Sequence, residues 1–281
     1  MNEDLMPVVR ANVAVALQED IGSGDLTASL LPPDSVASAT VITRQAMVVA
    51  GCAWFDETYR AIDPAVQIEW LKQDGESAEP GQVLCRVQGP ARSVVSGERC
   101  ALNFLQLLSA TATATAAFVA KVAGTNTRIL DTRKTLPGLR RAQKFAVVCG
   151  GGLNHRIGLF DAILIKENHI LASGGIADAV AAARQTHGAL PVEIEVESID
   201  ELRQALLARS ERVLLDNFSL AQLEEAVLFN KAHGKPPAEL EASGGVTLDS
   251  VGDIARTGVD YISVGTITKD IAAIDLSMRF D

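Results

Sequence analysis

Aromatic residues make up only 4% of this 281-residue chain, with two Trp and two Tyr. So small a supply argues against the aromatic platforms on which single-stranded nucleic acids stack. A formal net charge of −10 opposes any general affinity for DNA or RNA. The four cysteines, Cys52, Cys85, Cys100 and Cys149, show no CxxC spacing and have no His partner at metal-ligand spacing. They are expected to be reduced thiols in the core. No run of about 18 uncharged apolar residues marks a membrane span. The opening MNEDLMPVVR carries acids where a secretory leader would be basic. A cytoplasmic protein with neither membrane nor nucleic acid as partner is expected.

What is present suits helices packed on buried strands. Ala, Val, Leu and Gly are plentiful, and 48% of the residues are apolar, enough for a sizeable core. The length fits one large α/β domain or a barrel with a smaller companion.

The pattern of elements changes near residue 112. Before it come a helical pattern over about Leu5 to Glu19, a Gly-rich turn (EDIGSGDLT) and strand-like runs such as ATVITRQAMVVAG and GQVLCRVQGP. This half reads as mixed α+β. The segment SGERCALNFLQLLSATATATAAFVAKVAG then reads as a long helix whose low polarity predicts burial. Beyond Thr125 six strand-like runs alternate with amphipathic stretches: RILDTRK, DAILIKENH, PVEIEVES, RVLLDNF, ELEASGG and DYISVGT. Repeated βα units point to a parallel sheet, most simply a barrel or an incomplete one.

Each run begins apolar and ends in residues with chemical capability. These are Arg133 and Lys134, Lys166 to Asn168, Glu195 and Glu197, Asp216 and Asn217, Ser243 to Gly245, then Gly265 and Thr266. In a parallel barrel the carboxyl ends of all strands share one face, where such enzymes bind and react. The last two endings offer small residues and backbone N–H groups suited to a phosphate, although ordinary strand-to-helix turns use the same residues. Lys166 closes an otherwise apolar run and admits three roles: Schiff-base nucleophile, anion ligand, or half of a structural ion pair. Glu195 and Asp216 can hold Mg²⁺ or sugar hydroxyls, or neutralise Lys166.

Charge is segregated along the chain. From Arg128 to Lys166 there are eight basic residues against two acids, Asp131 and Asp161, a net of +6 that leaves −16 for the remainder. Arg133 is the sharper clue to an anion, because its planar fork matches carboxylates and phosphates. Arg140, Arg141 and Lys144 follow on a helix, where at least one is expected to be solvated surface. No serine–histidine pair or activated thiol is apparent, which favours chemistry by positioning and electrostatics.

The segments DTRKTLPGLR, KFAVVCGGGLNHRIGLFDAILIKENHI, EIEVES, LLDNF, EASGGV and ISVGTIT follow one another in this order, after EDIGSGDLT and GERCALNFLQLLSATAT. So arranged, they resemble the quinolinate phosphoribosyltransferase family, the decarboxylating nicotinate-nucleotide pyrophosphorylases of de novo NAD synthesis, over nearly the whole chain. The resemblance implies an α/β fold with an incomplete, TIM-like barrel of six or seven strands and an N-terminal α+β open-faced sandwich. It divides the chain into a sandwich over 1–112, rejoined by the tail 272–281, and a barrel over 113–271. It also implies a homodimer in which each sandwich covers the partner's barrel mouth.

Carried over residue by residue, the resemblance makes Arg133, His155, Arg156 and Lys166 the quinolinate-binding cations, with Arg99 entering from the other subunit. Lys134 falls near the phosphoribosyl group of PRPP, and Glu195 and Asp216 near the ribose hydroxyls and Mg²⁺. Ser243, Gly244, Gly245 and Gly265 fall around the 5-phosphate. Lys134, Lys166, Glu195 and Asp216 are then the catalytic set. Where many relatives carry His late in the last unit, this chain has Lys269. In a simple βα reading GGGLNHR precedes the second strand, at the face opposite the site, so His155 and Arg156 are expected on a loop that reaches back. Two other enzyme readings are a molybdenum-transport-associated relative with another substrate and a Schiff-base aldolase built on Lys166. A regulator that binds a phosphorylated metabolite without turnover is the non-enzyme reading.

Overall fold

The computed structural model describes residues 5–188, 190–234 and 236–280. In chain order the first elements are α1 (Met6–Asp20), β1 (Val36–Thr43), β2 (Met47–Val48), α2 (Cys52–Ile62), β3 (Gln67–Trp70), β4 (Ser77–Ala78), β5 (Val83–Pro90) and α3 (Ala91–Lys121). Then come β6 (Arg128–Leu130), α4 (Arg140–Cys149), β7 (Ile163–Ile165), α5 (Glu167–Ser173), α6 (Ile176–His187), β8 (Val192–Val196), α7 (Ile199–Leu207) and β9 (Arg212–Asp216). The last are α8 (Leu220–His233), β10 (Glu239–Ser243), α9 (Val251–Arg256), β11 (Tyr261–Ser263), α10 (Thr266–Lys269) and β12 (Leu276–Phe280). All six strand-like runs of the second half are strands.

The chain forms two compact units. One holds Met1–Ala116, Thr135–Gly151 and Thr266–Asp281; the other holds Ala117–Lys134 and Gly152–Gly265. The first unit is built on a four-stranded antiparallel sheet in the order β12-β1-β5-β3, with β2 and β4 paired separately. Strand β12 pairs along β1, Met278 opposite Val41, so described residues of the tail complete this sheet; Asp281 lies outside them.

Segment 135–151, which the division at residue 112 places with the barrel, clusters with the first unit for a packing reason. Ala142 and Ala146 of α4 join Val9, Val13, Trp54, Leu108 and Ala112 in one apolar cluster. At its end Gly150 meets α3 so closely that an added Cβ would lie 2.3 Å from the Ala112 carbonyl oxygen.

Helix α3 is long and apolar enough, by length and composition alone, to cross a membrane. Its apolar face is instead core, with Leu102, Leu105 and Leu108 at most 1% exposed. Truncating such a leucine typically costs about 2–5 kcal/mol. The thiols are free, with Cys52, Cys85 and Cys100 buried and Cys149 partly so. Burial, with the Asp74 charge second, pushes the Cys149 thiol up to about 12, which makes it inert rather than nucleophilic. Arg140 and Arg141 are only partly exposed and Lys144 is 1% exposed, so none of the three is the solvated residue expected on that helix.

The second unit carries a six-stranded parallel sheet in the order β6-β11-β10-β9-β8-β7. Successive βα units are neighbours, while β6 and β7 do not pair; the barrel is incomplete there. Apolar residues such as Ile194, Val213, Leu215 and Ile262, on the strand face that alternates with the interior one, are fully buried. Local caps turn some of the strand ends into the next helix. Ser198 accepts the Glu201 N–H at the start of α7, and Ser219 and Gln222 form a reciprocal capping box at α8. The strand ends are thereby held at one face.

Candidate active site

A cavity of about 270 Å³ opens at that face of the second unit. Arg133, Lys134, Arg156 and Lys166 line it together with Glu195, Asp216 and Glu241, the hydroxyls of Thr132, Ser243 and Ser263, and His155. Four cations gathered beside three carboxylates in one small cavity suit an anionic ligand that also offers hydroxyls. Burial, and then the like charge of Arg133, pulls Arg156 below its ordinary value, against the opposing pull of Glu193 and Asp161. An anion placed between the two guanidiniums relieves that crowding. A larger cavity of about 460 Å³ lies in the first unit, but apart from Asn12, Glu19, Asp20 and Asn103 its lining is apolar or carries only a weakly polar Cys100, with no cation.

The segment holding His155 and Arg156 reaches the site as the expected loop, anchored at one point. Leu153 forms a parallel bridge with Leu130 on the unpaired edge of β6. Its N–H donates to the Ile129 carbonyl at 2.9 Å, and its carbonyl accepts the Asp131 N–H at 3.1 Å. Residues 152–154 therefore run parallel to β6, and 155 and 156 emerge at the carboxyl face.

The two acids of the basic window fix this arrangement. Asp131, fully buried, accepts the His155 N–H at 2.8 Å through Oδ1 and the Asn154 amide at 2.6 Å through Oδ2. Asp161 accepts the N–H groups of Ile157 and Gly158 at 2.7 and 3.0 Å. The few negative residues in that stretch hold the backbone that presents the positive ones.

Lys166 caps α5 and forms an ion pair with Glu195. Its backbone N–H donates to His169 Nδ1 at 2.9 Å, which fixes its position at the strand end. Asp216 Oδ2 accepts from the Asn217 amide at 2.7 Å. Asn217 has φ +57, and its side chain fills the space a Cβ on Gly244 would need, 2.1 Å from that position. Gly244, itself at φ +100, can therefore only be glycine. At Gly265 an added Cβ would come 3.1 Å from Lys134 Cδ, so this glycine leaves room for the Lys134 stem.

The carried-over residues do not all reach the cavity. Gly244, Gly245 and Gly265 flank it without lining it. Arg99 lies on α3 in the first unit with its side chain 60% exposed, and Lys269 is exposed on α10. His155 lines the cavity, but its nitrogens are engaged with protein groups. Nδ1 accepts the Arg156 N–H at 2.7 Å, and Nε2 lies 2.9 Å from Glu193 and 3.5 Å from Glu241.

Sequence reasoning missed Glu193, Glu241 and Ser263. A signal was available, since side chains at i and i+2 of a strand share a face. Glu193 therefore shares the interior face with Glu195, and Glu241 with Ser243.

A parallel, open α/β barrel whose strand ends gather cations and carboxylates defines an enzyme of anionic small molecules. Comparison with known proteins makes this specific. The model of the quinolinate phosphoribosyl transferase C-terminal domain matches residues 111–279, and that of the N-terminal domain matches 25–109. The chain is 40% identical over 261 residues to a probable nicotinate-nucleotide pyrophosphorylase (carboxylating) of Bacillus subtilis, covering 92% of this chain and 89% of that protein. It is 39% identical to the enzyme of that name from Mycobacterium leprae, with 96% of each covered. The solved nicotinate-nucleotide pyrophosphorylase of Francisella tularensis superposes with a TM-score of 0.96 at 45% identity, covering 100% of this chain and 98% of the other. This chain belongs to the quinolinate phosphoribosyltransferase family and is a pentosyltransferase of de novo NAD biosynthesis.

Proposed function

We propose that the second unit's cavity is where this chain transfers the phosphoribosyl group of PRPP to quinolinate, releasing pyrophosphate and CO₂ and yielding nicotinate mononucleotide. The observation that carries this assignment is the convergence of Arg133, Lys134, Arg156 and Lys166 with Glu195 and Asp216 on one cavity. Two substrates rich in negative charge need such desolvated cations.

Arg133, Arg156 and Lys166 hold the two carboxylates of quinolinate, with His155 lining the same cavity. Lys134 lies along the phosphoribosyl group. Ser243 and the N–H groups of the Gly244–Gly245 turn receive the 5-phosphate, beside Gly265. As pyrophosphate departs, positive charge develops at C1 of the ribose, which Glu195 and Asp216 stabilise while orienting its hydroxyls. The pyridine nitrogen attacks C1 and becomes cationic. CO₂ then leaves, the electron pair of the broken bond stays on C2 beside the cationic nitrogen, and C2 takes up a proton from water. Lys166, held by Glu195, orients a carboxylate in this scheme and forms no Schiff base.

Glu195 and Asp216 also suit Mg²⁺. Both are oxygen donors, and each keeps one carboxylate oxygen outside the bonds to Lys166 and Asn217. When bound, the ion neutralises charge on the departing pyrophosphate. The four free thiols favour a reducing compartment, and we place the enzyme in the cytoplasm.

Turnover tests the assignment. Purified protein with Mg²⁺, PRPP and quinolinate is expected to give nicotinate mononucleotide and CO₂ in equal amounts. Nicotinate, which leaves a carboxylate site empty, is expected to be poorer by about 10²-fold or more in kcat/KM. Equal use of both pyridines would remove the dicarboxylate site.

The working form is a homodimer in which Arg99 completes the partner's site. Mixing Arg99→Ala with Lys166→Ala subunits is expected to restore partial activity through one composite site containing neither substitution. Heterodimers that form and remain inactive would refute the shared site.

A further inference from the structure

Beneath the cation cluster lies a group of acids that the reaction scheme leaves without a role. Glu241, in the middle of β10, is completely buried, yet it lines the same cavity as Arg156 and Lys166. Neither of its carboxylate oxygens has a hydrogen-bond partner of good geometry, and the same holds for Oε1 of Glu193. Around it stand His155 Nε2 at 3.5 Å, the Arg212 guanidinium at 3.9 Å, Glu193 and the Ser263 hydroxyl. A buried, poorly satisfied carboxylate requires a reason. At the floor of a pocket for dianions it also poses a problem, because its charge would repel the substrate.

Two facts bear on this. Burial, followed by the charge of Glu193, pushes Glu241 well above the ordinary carboxylate range, against the pull of Ser263 and Arg212. His155 meanwhile has its Nδ1 occupied by the Arg156 N–H. This leaves the ring proton on Nε2, facing Glu193 and Glu241. Fixing the ring therefore fixes the backbone from which Arg156 extends. Oxygen and nitrogen donors of His155, Glu193 and Glu241 lie within 4.8 Å of one another, close enough to share a metal ion. Arg212 supplies positive charge there, paired with Glu239 and stacked 4.3 Å from the Tyr261 ring.

We propose that Glu241, acting with Glu193 through the His155 ring, is a positioning residue that holds Arg156 in its quinolinate-binding place. The inference rests on the assignment of this cavity to quinolinate. It concerns the pyridine subsite alone and leaves the phosphoribosyl subsite untouched.

The test uses three substitutions in the full-length protein, read by steady-state kinetics with quinolinate and by calorimetric binding of PRPP. Glu241→Gln, a neutral group of the same shape, is expected to stay within about threefold of wild type. Glu241→Leu, which cannot hold the ring, is expected to raise KM for quinolinate by about tenfold or more with PRPP binding unchanged. Glu241→Asp keeps the acid but withdraws it by one methylene, and is expected to behave like the leucine variant, which covers the case in which leucine does not fold. An unchanged quinolinate KM in both the leucine and aspartate variants overturns the proposal. So does a glutamine variant as impaired as those two, or an equal loss of both substrates in the aspartate variant. Wild-type protein that binds PRPP without using quinolinate would instead refute the underlying assignment.

Discussion

Arg133→Ala is expected to lower kcat/KM for quinolinate by about 10²- to 10³-fold, the measurement being steady-state kinetics at saturating PRPP. The magnitude follows from removing one partner of a desolvated, charge-assisted pair, which costs about 3–4 kcal/mol, or a factor of ten for every 1.4. Two features make this residue more consequential than a surface arginine. It lines the cavity, and its charge lies close enough to Arg156 to pull that group below its ordinary value. Loss of Arg133 thus removes a ligand and also relaxes the crowding that draws the anion in. Its backbone follows β6 and belongs to no apolar cluster, so thermal stability should stay close to wild type. Near-normal kinetics would exclude Arg133 from substrate binding.

Gly150→Ala should show the opposite separation. At this position a methyl group would sit 2.3 Å from the Ala112 carbonyl oxygen and 2.7 Å from Thr115 Cβ. The first of these is backbone inside α3, so no rotamer change relieves the clash, and α4 must shift away from the cluster that Ala142, Ala146 and Trp54 share. Overpacking of this kind costs roughly 3 kcal/mol. For a protein of this size each kcal/mol lowers Tm by about 2–4 °C, which gives a fall of about 6–12 °C by thermal unfolding. An unchanged Tm would mean that the approach of α4 to α3 is looser than described. Together the two variants separate the chemistry from the fold, since one keeps Tm and loses turnover while the other loses Tm.

The strands of the second unit were readable because each couples an apolar run to a polar ending, as in DAILIK and RVLLD. Counting them left a barrel or an incomplete one open, and the family resemblance implied the incomplete form. Segment 152–156 is the loop the sequence led one to expect, but its anchor was not legible, because it rests on a single bridging residue, Leu153, and one residue has no periodicity. The helix Arg140–Cys149 was placed with the barrel because it follows the first barrel strand, while its packing partners lie far away in sequence, at Val9 and Trp54. Glu193 and Glu241 were legible by alternation, but a strand pattern does not distinguish an acid that meets a ligand from one that holds another side chain. Arg99 is a different case. A lone arginine on a helix carries no local signature, and only the family resemblance singles it out.

The bridge at Leu153 occupies the edge of β6 that would otherwise present unpaired N–H and C=O groups. Exposed strand edges are where foreign chains add on. The same few residues therefore shield the sheet from self-association and present His155 and Arg156 to the cavity. A substitution that frees this segment would give a protein that is at once inactive and prone to aggregate. For this stretch of chain, selection for solubility and selection for catalysis cannot be told apart.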